Sequence, residues 1–220
     1  MLILAILISA VLSYLLGSFN SSILVVRLLK HREFGSHNAG LTNTLRCFGK
    51  GCAALTLVGD LAKGIVAVLL SKGICELLGT GLTAQNDVHF IGYIAGIFAI
   101  LGHVFPIYYH FKGGKGVLVG VSVFLGIDWK VFLCLIVIFA VVLAISKYVS
   151  LGSIIAAACC PVVTFLFQFW QRGDLPMWYL WLNTGLAALM GAWVIYMHRT
   201  NIQRLKAGNE NKFSFHSKKA

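Results

Sequence analysis

LILAILISAVLSYLLGSFNSSILVV, residues 2–26, runs for 25 residues without a charge. At a rise of about 1.5 Å per residue, a helix of that length exceeds a hydrocarbon core of about 30 Å. Only helices and closed barrels satisfy every backbone polar group in lipid, and the alternation that a barrel needs does not recur along this chain. Nothing basic precedes the stretch, so the n-region of a secretory leader is missing and an uncleaved first span is expected. Six further apolar stretches follow. The predicted spans lie near 3–29, 52–71, 90–109, 116–127, 131–146, 152–170 and 177–197. The fold expected is an all-α integral membrane protein of about seven transmembrane helices, two of them short. The short pieces, 116–127 and 131–146, read either as two thin or tilted spans or as one re-entrant hairpin.

Composition agrees. The chain is 59% hydrophobic and 11% charged, against about 25% charged in soluble domains. The net charge of +11 does not point to nucleic acid. Its Lys and Arg sit in short loops and the tail, where anionic headgroups or an anionic substrate would meet them. Fourteen of the 18 Lys and Arg fall on one predicted side, from Arg27 through Arg46 and Lys115 to the tail. Lys72, Lys130 and Arg172 fall on the other, and Lys63 lies inside a span. The rich side is expected to be cytoplasmic, placing the N-terminus outside and the C-terminus inside. The chain reads as a single membrane-embedded domain, 1–220, with a basic tail from about 198. None of the six cysteines forms a CxxC pair, and they read as small packing residues.

The polar residues gather in four segments of the basic side. GSHNAGLTNTLR (35–46) is dense in Gly, Ser and Asn, which permit turns that aim several N–H groups at one point and so form an anion nest. Arg46 adds a guanidinium for paired hydrogen bonds to phosphate. An ordinary interfacial turn is the competing reading. GHVFPIYYHFKGGKGV (102–117) carries Pro106, expected to kink the third span near its end. Its Lys112-Gly113-Gly114-Lys115-Gly116 run leads straight into the next helix, where backbone N–H groups can approach a phosphate. Walker spacing is absent, and a flexible basic loop is the alternative. Ser150 and Ser153 enter the sixth span, either as phosphate donors or as a helix cap. His198 and Asn201 are three apart and share a helix face. Asp60 and Lys63, also three apart, are expected to form a structural ion pair, with a proton path as the second possibility. His89, His103 and His110 stand alone in the sequence and make no ligand set, so no metal site is expected.

Together these segments resemble the bacterial acyl-phosphate:glycerol-3-phosphate acyltransferases, the PlsY family. The resemblance rests on 35–46, 102–117, SLGS (150–153), HRTNIQRLKAGNE (198–210) and the Asp60-x-x-Lys63-Gly64 pattern. The chain departs from the family at Asn20, where proline is usual, and at His37 and Thr200. The resemblance implies transfer of a fatty acyl group from acyl phosphate to position 1 of glycerol 3-phosphate, giving lysophosphatidic acid and phosphate. It implies Ser36, Arg46, Lys115, His198 and Asn201 as catalytic candidates. Asn38, Thr42, Asn43, Lys112, Gly113, Gly114, Gly116, Ser150 and Ser153 become substrate-binding candidates. Asp60, Lys63 and Glu210 take structural roles. No cofactor, metal or nucleic acid is expected. The partners expected are acyl phosphate, glycerol 3-phosphate and membrane lipid, in a bacterial inner membrane with the site facing the cytoplasm. The competing class is a transporter of a phosphorylated metabolite, which would need a midplane site and an inverted repeat. A thioester-dependent acyltransferase is a further alternative, although the HxxxxD element common among such enzymes is absent.

Overall fold

The computed structural model describes residues 1–31, 39–82, 89–171 and 173–213. Among these residues the structure is helical throughout, without strands. Six helical stretches are long and apolar enough to cross a membrane, and Val117–Ile127 is a shorter apolar helix. The chain is therefore an all-helical integral membrane protein, as its hydropathy predicts.

The boundaries differ from the expected spans in ways that matter for the site. The first apolar stretch is two helices, α1 (Leu2–Ser18) and α2 (Ser21–Lys30). Asn20 breaks it: its backbone is extended and its side chain accepts a hydrogen bond from the Ile23 N–H, capping α2 as asparagine does at helix starts. Helix α3 (Leu41–Leu77) has 37 residues and is broken at Gly49, where φ is +86°. Only glycine adopts that backbone freely. The turns before the break, which carry Thr42, Asn43 and Arg46, thus leave the direction of the span behind it.

Helix α4 (His89–Val104) stops rather than kinks, two residues before Pro106. A proline ring excludes helical backbone in the residue before it. A 3-10 turn follows at Ile107–Tyr109, then two left-handed residues, His110 and Phe111. The glycine loop ends at Gly116, whose φ of +79° starts α5 (Val117–Ile127). Helix α5 has 11 residues, about 16 Å, or half a hydrocarbon core. It is too short to cross the core upright, in keeping with the reading of 116–127 as a short piece. Helix α6 (Trp129–Ser146), capped by Asp128, is long enough to cross. Helices α7 (Val149–Gln171), α8 (Met177–Met197) and the short basic α9 (Arg199–Lys206) complete the fold.

Lipid is as apolar as leucine, so helices associate here through close packing rather than hydrophobic exclusion. Small residues provide it. A Cβ added to Gly17 would lie 2.2 Å from the Ala99 carbonyl oxygen, and one on Gly102 2.2 Å from that of Tyr14. Helices α1 and α4 therefore meet backbone to backbone. Between them and α7–α8 sits a core that includes Tyr93, Val119, Val123, Phe124, Cys160 and Met190. The leucines, valines and tryptophans exposed on the outer faces suit a lipid solvent.

Candidate active site

The half-length α5 leaves space above it, and the polar segments close around that space. A cavity of about 970 Å³ is lined by Arg46, Lys115, His198 and Asn201 together. These come from α3, the glycine loop, the end of α8 and α9. Thr42, Asn43 and Lys112 also face it, with Gly113, Gly114, Gly116, Ser150 and Ser153. Ser36 and Asn38 lie outside the described residues. Asp60, His103, Arg199, Arg204, Glu210 and Lys212 line it too, and apolar wall is supplied by residues that include Ile100, Phe124, Leu135, Ile136, Phe139 and Met190. Its lining thus offers cations to an anion and apolar surface to a hydrocarbon chain.

The glycine loop is shaped by its own backbone. Gly113 N–H donates to the Val104 carbonyl at 3.2 Å, and Gly114 N–H to that of His103 at 3.1 Å. Ala39 N–H, at the end of the first loop, donates to Gly113 C=O at 3.3 Å. The two glycine-rich segments are therefore tied to each other. Gly113 and Gly114 leave no room for a side chain: a Cβ would come within 2.0 Å of the His103 carbonyl oxygen and 2.2 Å of His103 Nε2 respectively.

Lys115 is the central cation. Its ammonium donates to the Asn201 side-chain oxygen. Burial, then the nearby Arg204, lower its pKa to about 8; Glu210 acts the other way and Arg46 adds to the lowering. The last effect puts Arg46, which is exposed, within electrostatic reach of Lys115. Asn201 in turn donates to Glu210 at 2.7 Å. Glu210 also accepts from Ser150 at 2.9 Å and from Arg204 at 2.7 Å. Burial raises the Glu210 carboxyl, but these three hydrogen bonds outweigh it and the carboxyl is held below its usual range. Glu210 thereby pins the tail to α7 and α9, and orients Asn201 toward Lys115.

His198 is 3% exposed. Its Nδ1 lies 2.7 Å from the Val194 carbonyl oxygen, which can only accept, so Nδ1 carries the proton. Burial, reinforced by Lys115, lowers its pKa to about 4 even though the Val194 hydrogen bond and Glu210 raise it. The ring is neutral near pH 7 with Nε2 as its acceptor.

Three features escape a reading along the chain. His103 is not alone: its Nδ1 lies 2.8 Å from Lys63 Nζ. The expected Asp60–Lys63 pair is present at 2.9 Å, but it belongs to a buried cluster of three. Arg204 joins the site through Glu210; its spacing of three from Asn201 was the available signal. Ser150 and Ser153 do not offer free hydroxyl protons. Ser150 donates to Glu210, and Ser153 to the Val149 carbonyl at 2.9 Å.

Comparison with known proteins identifies the arrangement. Residues 7–208 match the family model described as glycerol-3-phosphate acyltransferase. A glycerol-3-phosphate acyltransferase of Prochlorococcus marinus (strain MIT 9312) is 40% identical over 205 residues, covering 92% of this chain and 94% of the relative. One of Clostridioides difficile (strain 630) is 37% identical over 206 residues, covering 92% and 93%. The crystal structure of PlsY (YgiH), an integral membrane glycerol 3-phosphate acyltransferase, in its lysophosphatidic acid form superimposes with a TM-score of 0.75. It is 30% identical and covers 96% of each chain. The glycerol 3-phosphate form of that protein gives 0.74, with coverage of 95% and 96%. With a family model spanning nearly its whole length and relatives this close, the chain belongs to the glycerol-3-phosphate acyltransferase family.

Proposed function

We propose that this protein transfers a fatty acyl group from acyl phosphate to the 1-hydroxyl of glycerol 3-phosphate, releasing lysophosphatidic acid and inorganic phosphate. The observation that carries the reading is a cavity of about 970 Å³ whose wall combines cations and glycines with apolar side chains. Similarity to proteins named for glycerol 3-phosphate supports the acceptor. The donor is argued from chemistry.

An acyl phosphate is a mixed anhydride with an activated carbonyl and a good leaving group. The protein has to bring two anions together and orient one hydroxyl, a task for fixed charges and dipoles. Arg46, Lys112 and Lys115 offset the repulsion and bind phosphate oxygens, while Gly113 and Gly114, whose N–H groups are held by Val104 and His103, let the loop backbone lie close to them. The hydroxyl oxygen attacks the carbonyl carbon, the C–O bond to phosphate breaks, and the hydroxyl proton ends on the departing phosphate. Nothing is left over: an alcohol and an acyl phosphate dianion give an ester and hydrogen phosphate dianion. His198, with its pKa held at about 4, is a much weaker base than that phosphate. Its Nε2 orients the hydroxyl by accepting its hydrogen bond. Transfer is direct, without an acyl-enzyme, and Ser36 serves as a hydrogen-bonding residue.

The test is the purified chain mixed with both substrates. Phosphate release that requires both, with lysophosphatidate formed, is expected; lysophosphatidate and free CoA formed from acyl-CoA in place of acyl phosphate would overturn the donor, and an acyl group trapped on Ser36 would overturn direct transfer. The cavity faces the cytoplasm of a bacterial inner membrane in this reading. Cys47, exposed on the basic side next to Arg46, should then react with an impermeant thiol reagent in inverted vesicles and stay protected in right-side-out ones.

A further inference from the structure

Asp60, Lys63 and His103 form a buried polar cluster that the transfer chemistry does not use, and they are 1%, 7% and 3% exposed. Lys63 Nζ donates to the Gly17 carbonyl at 3.3 Å and to the Phe19 carbonyl at 3.1 Å. Its third neighbour is His103 Nδ1 at 2.8 Å. Asp60 Oδ1 stands 2.9 Å from the same ammonium but makes no well-aligned hydrogen bond, so that contact is ionic. An ammonium has three protons and no lone pair, so each of these neighbours can only accept from it or face it as an anion. Nδ1 of His103 must therefore present its lone pair, and the ring proton sits on Nε2. Asp60 does not compete for Nδ1, because 3.7 Å is beyond hydrogen-bond range.

We propose that His103 is a positioning residue for the glycine loop, locked by the Lys63–Asp60 pair in the tautomer that carries its proton on Nε2. Two parts of one residue then hold Gly114. The His103 carbonyl accepts the Gly114 N–H at 3.1 Å, and the Nε2 edge of the ring is the wall against which Gly114 packs. Turning the ring would bring its Nε2 proton toward the Lys63 ammonium, which has no lone pair to accept it. Lys63 also holds the carbonyls at the end of α1, next to Asn20. Asn20 Nδ2 donates to Ala39 C=O at 3.4 Å, and Ala39 pairs with Gly113. One buried cation thus sets the position of both backbone segments assigned to phosphate. The inference rests on the anion-binding reading of those segments.

The test combines a spectroscopic and a kinetic readout on the full chain in lipid nanodiscs. Nitrogen-15 NMR of histidine-labelled protein, with His103→Asn to assign the signal, should show a neutral ring with the proton on Nε2. In Lys63→Met the ammonium is gone, and the proton should move to Nδ1 to reach the Asp60 carboxylate. His103→Asn keeps an acceptor for Lys63 but removes the wall behind Gly114. It should raise the KM for glycerol 3-phosphate or for acyl phosphate about ten-fold, the size expected when one hydrogen bond to a charged group is displaced, with a smaller change in kcat. A wild-type ring with its proton on Nδ1, a charged ring, or unchanged KM values in His103→Asn would each overturn the proposal. If Lys63→Met does not fold, the wild-type spectrum and the His103→Asn kinetics still decide. Absence of acyl transfer by the wild-type chain would instead refute the proposed function, and the NMR signal would still report the lock.

Discussion

Gly114→Ala tests the cradle with one methyl group. A Cβ on Gly114 would lie 2.2 Å from His103 Nε2, 2.6 Å from the Ala39 carbonyl oxygen and 3.1 Å from His103 Cδ2. Favourable contact begins at about 3.5 Å, so the residue has to retreat by about an ångström. Neither neighbour can yield. The Ala39 oxygen is backbone and is bonded to Asn20, and the His103 ring is buried and bonded to Lys63. The displacement falls on the loop, and with it on Lys115, the next residue, which lines the cavity. A misplacement of about 1 Å lowers rate by about 100-fold, equivalent to about 2.7 kcal/mol of transition-state stabilisation. The assay is phosphate release measured against glycerol 3-phosphate at saturating acyl phosphate, then with the roles reversed. We expect normal membrane insertion, a raised KM for one of the two, and kcat/KM for it down by about 100-fold. Gly185→Ala is the control: it is an exposed helical glycine with no heavy atom within 4 Å of the new Cβ, and it should keep wild-type kinetics. Kinetic constants for Gly114→Ala within about two-fold of wild type would refute the cradle.

Lys115, with a pKa of about 8, is charged below that value and neutral above it. The kcat/KM for a phosphorylated substrate should therefore fall as pH rises past about 8, and Lys115→Arg, charged throughout, should carry the fall to higher pH. Glu210→Gln removes a charge that raises Lys115, so its alkaline fall should begin at lower pH than in wild type; an unmoved profile would separate Glu210 from the site. His198, with a pKa of about 4, should contribute no acid limb near neutrality, and a limb there that disappears in His198→Asn would contradict the assignment. Asn20→Ala removes the α2 cap and the tie to Ala39. It should lower stability by about 1 kcal/mol, read by thermal unfolding in detergent, and raise the KM for a phosphorylated substrate.

The apolar segments were legible because a lipid solvent demands long uncharged helices, and that demand leaves a composition that survives reading one residue at a time. Breaks inside those segments were not. The run through Phe19 and Asn20 remains apolar enough to hide a cap, though asparagine before two serines is a start signal in water-soluble helices. Gly49 looks like any interfacial glycine until its φ of +86° is seen. The convergence of Arg46, Lys115, His198 and Asn201 on one cavity followed from loops sharing a side and from motifs quoted whole. Partnerships across helices did not follow. Nothing in the spacing of 60, 63 and 103 tells that α3 and α4 bring them together. Nor does anything near Ser150 announce Glu210, 60 residues on. Helical periodicity shows which face a residue takes, while the facing helix is a matter of packing.

Charge explains why the site is built as it is. Six cationic side chains line the cavity: Arg46, Lys112, Lys115, Arg199, Arg204 and Lys212. Glu210 matches Arg204, and Asp60 is matched by Lys63 beneath the loop. The remaining cations repel one another in a half-buried space, and Lys115 is pulled toward neutrality by burial first and then by Arg204 and Arg46. Two phosphate groups bring about four negative charges, close to what those cations can balance. The first anion to bind raises the pKa of Lys115 and so improves the site for the second, since an opposite charge favours the protonated amine. Binding either substrate alone leaves part of the repulsion in place, and binding both removes it. The arrangement therefore favours the ternary state over either binary one. Under the proposed function, that is the requirement for transfer between two anions that would otherwise avoid each other, and charge placement supplies it.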